Sequence, residues 1–100
     1  METSFTVTKK HIRKSLKLHK ERKKLSSCGD ICPIALVFKD KGYKEVNVGP
    51  CSFTTANNGW FVLPRKVQSW LDEYDDLFNN SEINKKYLDN FQDFTFTINF

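Results

Sequence analysis

A chain of 100 residues with 39% hydrophobic residues and nine Phe has apolar surface for one packed core, and too much of it to be disordered. The longest apolar run, Ile34 to Phe38, is far below the ~20 residues that cross a bilayer, and no signal-type apolar stretch follows the basic N-terminal segment. Three cysteines without repeated spacing make no secreted disulfide framework, so the expectation is a single soluble domain over residues 1–100, cytoplasmic, with reduced thiols and no membrane partner.

The net charge of +4 is unevenly spread. Residues 1–45 hold twelve Lys/Arg against five acids, a balance of +7, and residues 46–100 hold four against seven, a balance of −3. One basic and one acidic surface are expected, each able to steer a partner of opposite charge.

In chain order, Ser4-Phe5-Thr6-Val7-Thr8 alternates as a half-buried strand with Phe5 and Val7 inward. Thr8 suits the N-cap of a following helix, although the third helical position holds His11 where a capping box has Glu or Gln. Ile12, Leu16 and His19 give that helix a narrow apolar stripe, predicting a peripheral element. After a turn-rich connection, "ICPIALVFKDKG" predicts a short buried helix with Pro33 in its first turn and Gly42 at its C-terminal end. It belongs at the centre of the core.

From Tyr43 the period becomes two, with Val46 and Val48 inward; Gly49-Pro50 then precedes the strand Ser52-Phe53-Thr54-Thr55. "NNGW" predicts a tight turn into a strand Trp60 to Leu63. Pro64 opens a helix whose Val67, Trp70, Leu71, Tyr74, Leu77 and Phe78 share one wide apolar face, with Trp70 at its middle. After a polar loop near Asn79-Asn80-Ser81, "FTFTINF" alternates as a last strand, suited to pair with the first. The sum is an α+β domain: a small, mostly antiparallel sheet of about four strands on two apolar helices, with a peripheral basic N-terminal helix.

Chemistry-bearing groups are sparse. Cys28, Cys32 and Cys51 with His11 and His19 contain the atoms of a zinc site, but their spacing forms no pair of knuckles; no metal or cofactor is expected, and a small buried hydrophobe is the ordinary role of Cys32. A redox pair is the sharper alternative, because a thiol at a helix N-terminus is more acidic and Cys28 lies within reach of it. A cysteine nucleophile would need a histidine oriented by a third group, which the sequence does not display. Asp72, Glu73, Asp75 and Asp76 lie outward on the third helix, as solvated charge or as a secondary docking surface for a basic partner. The four glycines are scattered, so there is no phosphate loop. No catalytic residue is identified.

The stretch "KKHIRKSLKLHKERKK", residues 9–24, is the sharpest feature: Lys9, Lys10, Arg13, Lys14, Lys17, Lys20, Arg22, Lys23 and Lys24 against the single acid Glu21. Such a helix suits phosphate backbones or an acidic protein surface, and its lack of aromatic residues argues against single-strand stacking. A merely solvated face is the ordinary alternative.

The succession "TVTKKHI", "CPIALVFKDKG", Val46-x-Val48, "LPRKVQSWLDEYD" and "DFTFTINF" resembles a group of short bacteriophage- and prophage-encoded proteins with no assigned activity. They share a "TVT…HI" start, a "CPIALAL"-like buried helix, an "LP…V…W/FI…YD" helix and an "F.F" last strand. The resemblance covers nearly the whole chain and rests on Cys32-Pro33-Ile34-Ala35-Leu36 and on Leu63-Pro64 with Trp70. This chain departs from it by a longer, more basic stretch from Arg13 to Lys24. The resemblance implies a viral, non-enzymatic inhibitor or host-takeover protein in the host cytoplasm, binding a host defence or nucleic-acid-handling protein through the basic helix. A direct DNA- or RNA-binding accessory protein and an oligomeric sponge for a nucleotide signal are the alternatives.

Overall fold

The computed structural model describes residues 2–21, 30–56 and 59–100. Elements follow in the order β1 (Glu2–Val7), α1 (Lys9–Glu21), α2 (Pro33–Asp40), β2 (Asn47–Val48), β3 (Ser52–Thr55), β4 (Gly59–Val62), α3 (Arg65–Asn79), α4 (Lys85–Asn90) and β5 (Phe94–Asn99). The fold is α+β. Its strands divide into two antiparallel sheets, β1-β5 and β2-β3-β4, where the sequence led us to expect one.

The first sheet pairs Phe5 with Phe96 and Val7 with Phe94. Alternation sends Phe5, Val7, Phe96 and Ile98 into the core. In the second, Val48 faces Phe53 and Phe53 faces Phe61. β2 is only two residues long, much shorter than the expected strand from Tyr43. Glu45 adopts φ 53°, a left-handed conformation that interrupts a ladder, yet Val46 and Val48 stay buried. Of the expected Asn-Gly turn, residues 57 and 58 lie outside the described residues, while Gly59 has the φ of +73° that such turns require.

The two sheets share α2. Phe38, fully buried, lies 4.7 Å from Phe5 of β1 and 4.5 Å from Phe53 of β3 between ring centroids, so one side chain joins both sheets. Phe100 bridges them again, 5.3 Å from Phe61 and 6.4 Å from Phe5. The α2 helix starts at Pro33, whose missing N–H costs nothing in a first turn, and its N-cap is Cys32, whose Sγ accepts the Ala35 N–H at 3.4 Å. Cys32 is therefore a half-buried cap rather than the buried apolar filler expected of it. Gly42, φ +96°, ends the element in the left-handed region where glycine is favoured.

α3 carries the expected apolar face, with Val67, Leu71 and Tyr74 buried. Trp70, expected at its middle, is half-buried on its flank. At four-residue intervals Lys66, Trp70, Tyr74 and Phe78 form a ladder along the helix. Trp70 stacks on Tyr74 at 5.2 Å and on Phe94 at 5.5 Å, Tyr74 on Phe78 at 6.4 Å, and Lys66 Nζ sits 5.1 Å over Phe94. His19 of α1 extends the ladder, 4.6 Å from Phe78. The helix α4 was not expected; Asn84 caps it by accepting the Tyr87 N–H at 3.0 Å.

Candidate cationic surface

The start of α1 is fixed by a cap in which histidine takes the part of glutamate. Nδ1 of His11 accepts the Thr8 backbone N–H at 3.0 Å, the return half of a capping box. Because Nδ1 accepts from an N–H, the neutral ring carries its proton on Nε2 and donates it to Asp40 Oδ2 at 2.5 Å. Thr8 Oγ1 also lies 3.0 Å from Nδ1.

Thr8, His11 and Asp40 thus line up as hydroxyl, imidazole and carboxylate beside a cavity of ≈310 Å³. The fold supplies a group that orients a histidine, one the sequence did not display. However, the nitrogen facing the hydroxyl is already engaged by a backbone donor, so the arrangement ties α1 to α2 rather than activating Thr8.

On the inner side of α1, Ile12 and Ser15 are buried and Leu16 and His19 half-buried. This stripe is wider than the sequence indicated, because a buried serine extends its edge. Ser15 Oγ and Tyr74 Oη are both buried without a hydrogen-bond partner among the described residues. Burial pushes the Tyr74 phenol well above its ordinary value, and Ser15 is the neighbour that offsets part of that rise.

The opposite side holds the cations. Lys10, Arg13, Lys14, Lys17 and Lys20 are all exposed, and at 3.6 residues per turn they fall within an arc of about 120° centred opposite the buried stripe. The cations are gathered on one face instead of spread around the circumference. Among the described residues no ion pair joins an acid to any of these five. Lys9 stands apart: it is half-buried, and its Nζ lies 3.5 Å from the Asp89 carbonyl of α4. Arg22, Lys23 and Lys24 lie outside the described residues, as does Cys28.

The four acids of α3 are exposed, as expected. Asp72 and Asp75 border a cavity of ≈430 Å³ shared with Arg65 and Cys51, while Glu73 borders a separate cavity of ≈370 Å³ toward α4. Partial burial raises the Asp75 carboxyl above its usual range, Asp72 adds to the rise, and His19 opposes it. No group of three or more His, Cys, Asp or Glu side chains able to hold a metal occurs among the described residues. Among them, too, no helix is long and apolar enough to cross a membrane.

No family model matches the chain, and no curated protein and no solved structure matches it.

Proposed function

We propose that this protein is a non-enzymatic inhibitor or host-takeover protein of the bacteriophage type, acting in the host cytoplasm by docking the cationic face of α1 onto a host protein that handles nucleic acid or defends against it. The observation that carries this reading is the gathering of Lys10, Arg13, Lys14, Lys17 and Lys20 on one exposed arc, with no ion pair to an acid among the described residues. Unpaired charge of one sign at this density raises association rates with an oppositely charged surface and orients the encounter. The stripe lies on a helix held by a tied N-cap, so the cations approach as a fixed array. Direct binding to duplex nucleic acid is the second reading, favoured by the absence of any aromatic residue among the stripe's side chains, because backbone contact needs charge and not stacking.

The test compares the parent with the variant Lys10→Glu, Arg13→Glu, Lys14→Glu, Lys17→Glu in affinity capture from host lysate, with and without nuclease. All four substituted side chains are exposed, so the fold should survive, and circular dichroism checks that it does. The expected result is a host protein captured by the parent after nuclease treatment and lost by the variant. Capture that disappears with nuclease, accompanied by a log–log salt slope near −0.9 per phosphate in a duplex-binding assay, would establish the nucleic-acid reading instead. Equal capture by parent and variant would overturn both.

A further inference from the structure

The cavity between α3 and α4 has a chemistry of its own, independent of α1. Its ≈370 Å³ is bounded by the rings of Trp70, Tyr74, Tyr87 and Phe91, with Glu73 as the one charged side chain. That volume falls within the ~300–1,000 Å³ of small-ligand sites, which combine apolar walls with a few placed polar groups.

The rings are not equivalent. Trp70 is stacked against Tyr74 and Phe94, and Tyr74 also against Phe78, so the ladder rings spend their faces on one another. Tyr87 and Phe91 meet each other at a tilt of 35°, and Phe91 meets Trp70 edge-on at 70°. Neither is stacked among the described residues, which leaves π-faces uncommitted on the α4 side. A ring face carries the negative end of the aromatic quadrupole and attracts a cation.

The polar groups point the same way. Glu73 has no ion-pair partner among the described residues, and its charge is felt at the Tyr87 phenol, which burial first and Glu73 second raise above its ordinary value. Carboxylate and ring therefore act on the same spot. Asn90 spends its amide N–H on the Lys86 carbonyl at 2.9 Å, which turns its side-chain oxygen into the remaining acceptor. Gln92 supplies a second carboxamide. Among the described residues no lysine or arginine lines the cavity, so a phosphate would meet repulsion from Glu73. A planar cation rich in N–H donors satisfies rings, carboxylate and carboxamide oxygens together.

We propose that the α3–α4 groove binds a guanidinium, the side chain of an arginine presented by a partner, with Glu73 as counter-charge, Tyr87 and Phe91 as the faces beneath it and the Asn90 oxygen as a further acceptor. An arginine matches the groove better than an alkylated ammonium, which has no N–H for Glu73 or Asn90.

The experiment titrates the full chain with Nα-acetyl-arginine methylamide and follows Trp70 fluorescence in a Trp60→Phe background, Trp60 being 64% exposed and remote from the groove lining. Nitrogen–proton correlation spectra of the same titration locate the site. Expected are saturable binding in the millimolar range, shifts centred on Tyr87, Asn90 and Phe91, and affinities about tenfold weaker for the neutral citrulline analogue and for Glu73→Gln. Glu73 is exposed and its replacement isosteric, so the spectra also report whether the variant keeps the fold. Citrulline or tetramethylammonium binding as tightly as the arginine probe would overturn the proposal, as would a nucleoside monophosphate binding in its place, unsaturable shifts, or an unchanged affinity in the folded Glu73→Gln variant.

Discussion

The helices α1 and α3 pack on each other through Ser15 with Tyr74 and His19 with Phe78, and they turn opposite charges to solvent. Their anchoring differs. The α1 helix is held by a stripe of modest side chains, Ile12, Ser15 and Leu16, and by its tied cap, so nothing large projects from its flanks and its cations form an uninterrupted strip. The α3 helix is held by a ladder of large rings, of which Trp70 and Tyr74 wall a groove that holds Glu73, while Asp72 and Asp75 border a second cavity. Charge thus makes a broad electrostatic surface on one helix and lines shaped grooves on the other. The width and bulk of the buried stripe decide which, because large anchoring side chains cannot be confined to the inner face.

The largest effect should come from cutting the anchoring itself. Tyr74→Ala removes a ring that is 3% exposed and central to the ladder, and should cost about 3–5 kcal/mol. In contrast, Ser15→Ala deletes a buried hydroxyl without a good partner and should leave stability within about 1 kcal/mol of the parent. Denaturant titrations giving the two substitutions equal costs would break the contrast between a ring-anchored and a lightly anchored helix. Next, His11→Ala removes the acceptor of the Thr8 backbone N–H and should lower stability by about 1 kcal/mol, whereas Thr8→Ala keeps that N–H and loses only the hydroxyl contact to Nδ1, and should cost less. His11→Ala should be the costlier of the two, since it also releases Asp40. Equal melting curves for parent and both variants would mean that the cationic array is not held from its N-terminus.

The smallest effect is electrostatic and depends on pH. Asp75 binds its proton more tightly in the folded than in the unfolded chain, so protonation favours folding and stability falls as pH rises through the window above the ordinary value of 3.8. Asp75→Asn should therefore melt slightly higher than the parent at neutral pH and converge with it below that window. A variant that melts lower at neutral pH would show that the His19 attraction outweighs burial, reversing the assigned order of causes.

Much of this architecture is legible in the chain because neighbouring residues determine it. The alternation of Phe5 and Val7 and of Phe94, Phe96 and Ile98 marks both partners of the first sheet, and the i, i+3, i+4 spacing from Val67 to Phe78 marks α3. Splitting into two sheets is not local: it follows from Phe38 filling both sides of α2, which no periodicity reports. The α4 helix escaped because its six residues, Lys85–Asn90, contain only Tyr87 and Leu88 as apolar side chains, too few to define a period. The Asn84 cap with Tyr87, Leu88 and Phe91 was the available signal. For the same reason the α3–α4 groove could not be anticipated, since half its wall comes from α4 and the two residues that follow it. The cationic segment was plain from composition, and helical spacing alone places its five exposed cations on one arc; what the sequence did not report is that Ser15, a polar residue, is buried on the other side.

Pairing of Phe5 with Phe96 sets the order in which this molecule can be made. The two rings that pack with Phe38 from the first sheet are separated by nearly the whole sequence, so closing that sheet requires the longest loop the chain can form, a slow step in a topology of distant contacts. While the chain emerges from the ribosome, β1 has no strand to pair with and Phe5 no ring across from it until residues 94–99 are free. The second sheet, whose strands are near neighbours, can form long before. Nascent chains arrested ahead of residue 94 should therefore show the β2-β3-β4 hairpins with an unprotected β1, a state in which an exposed apolar strand depends on chaperones for its solubility.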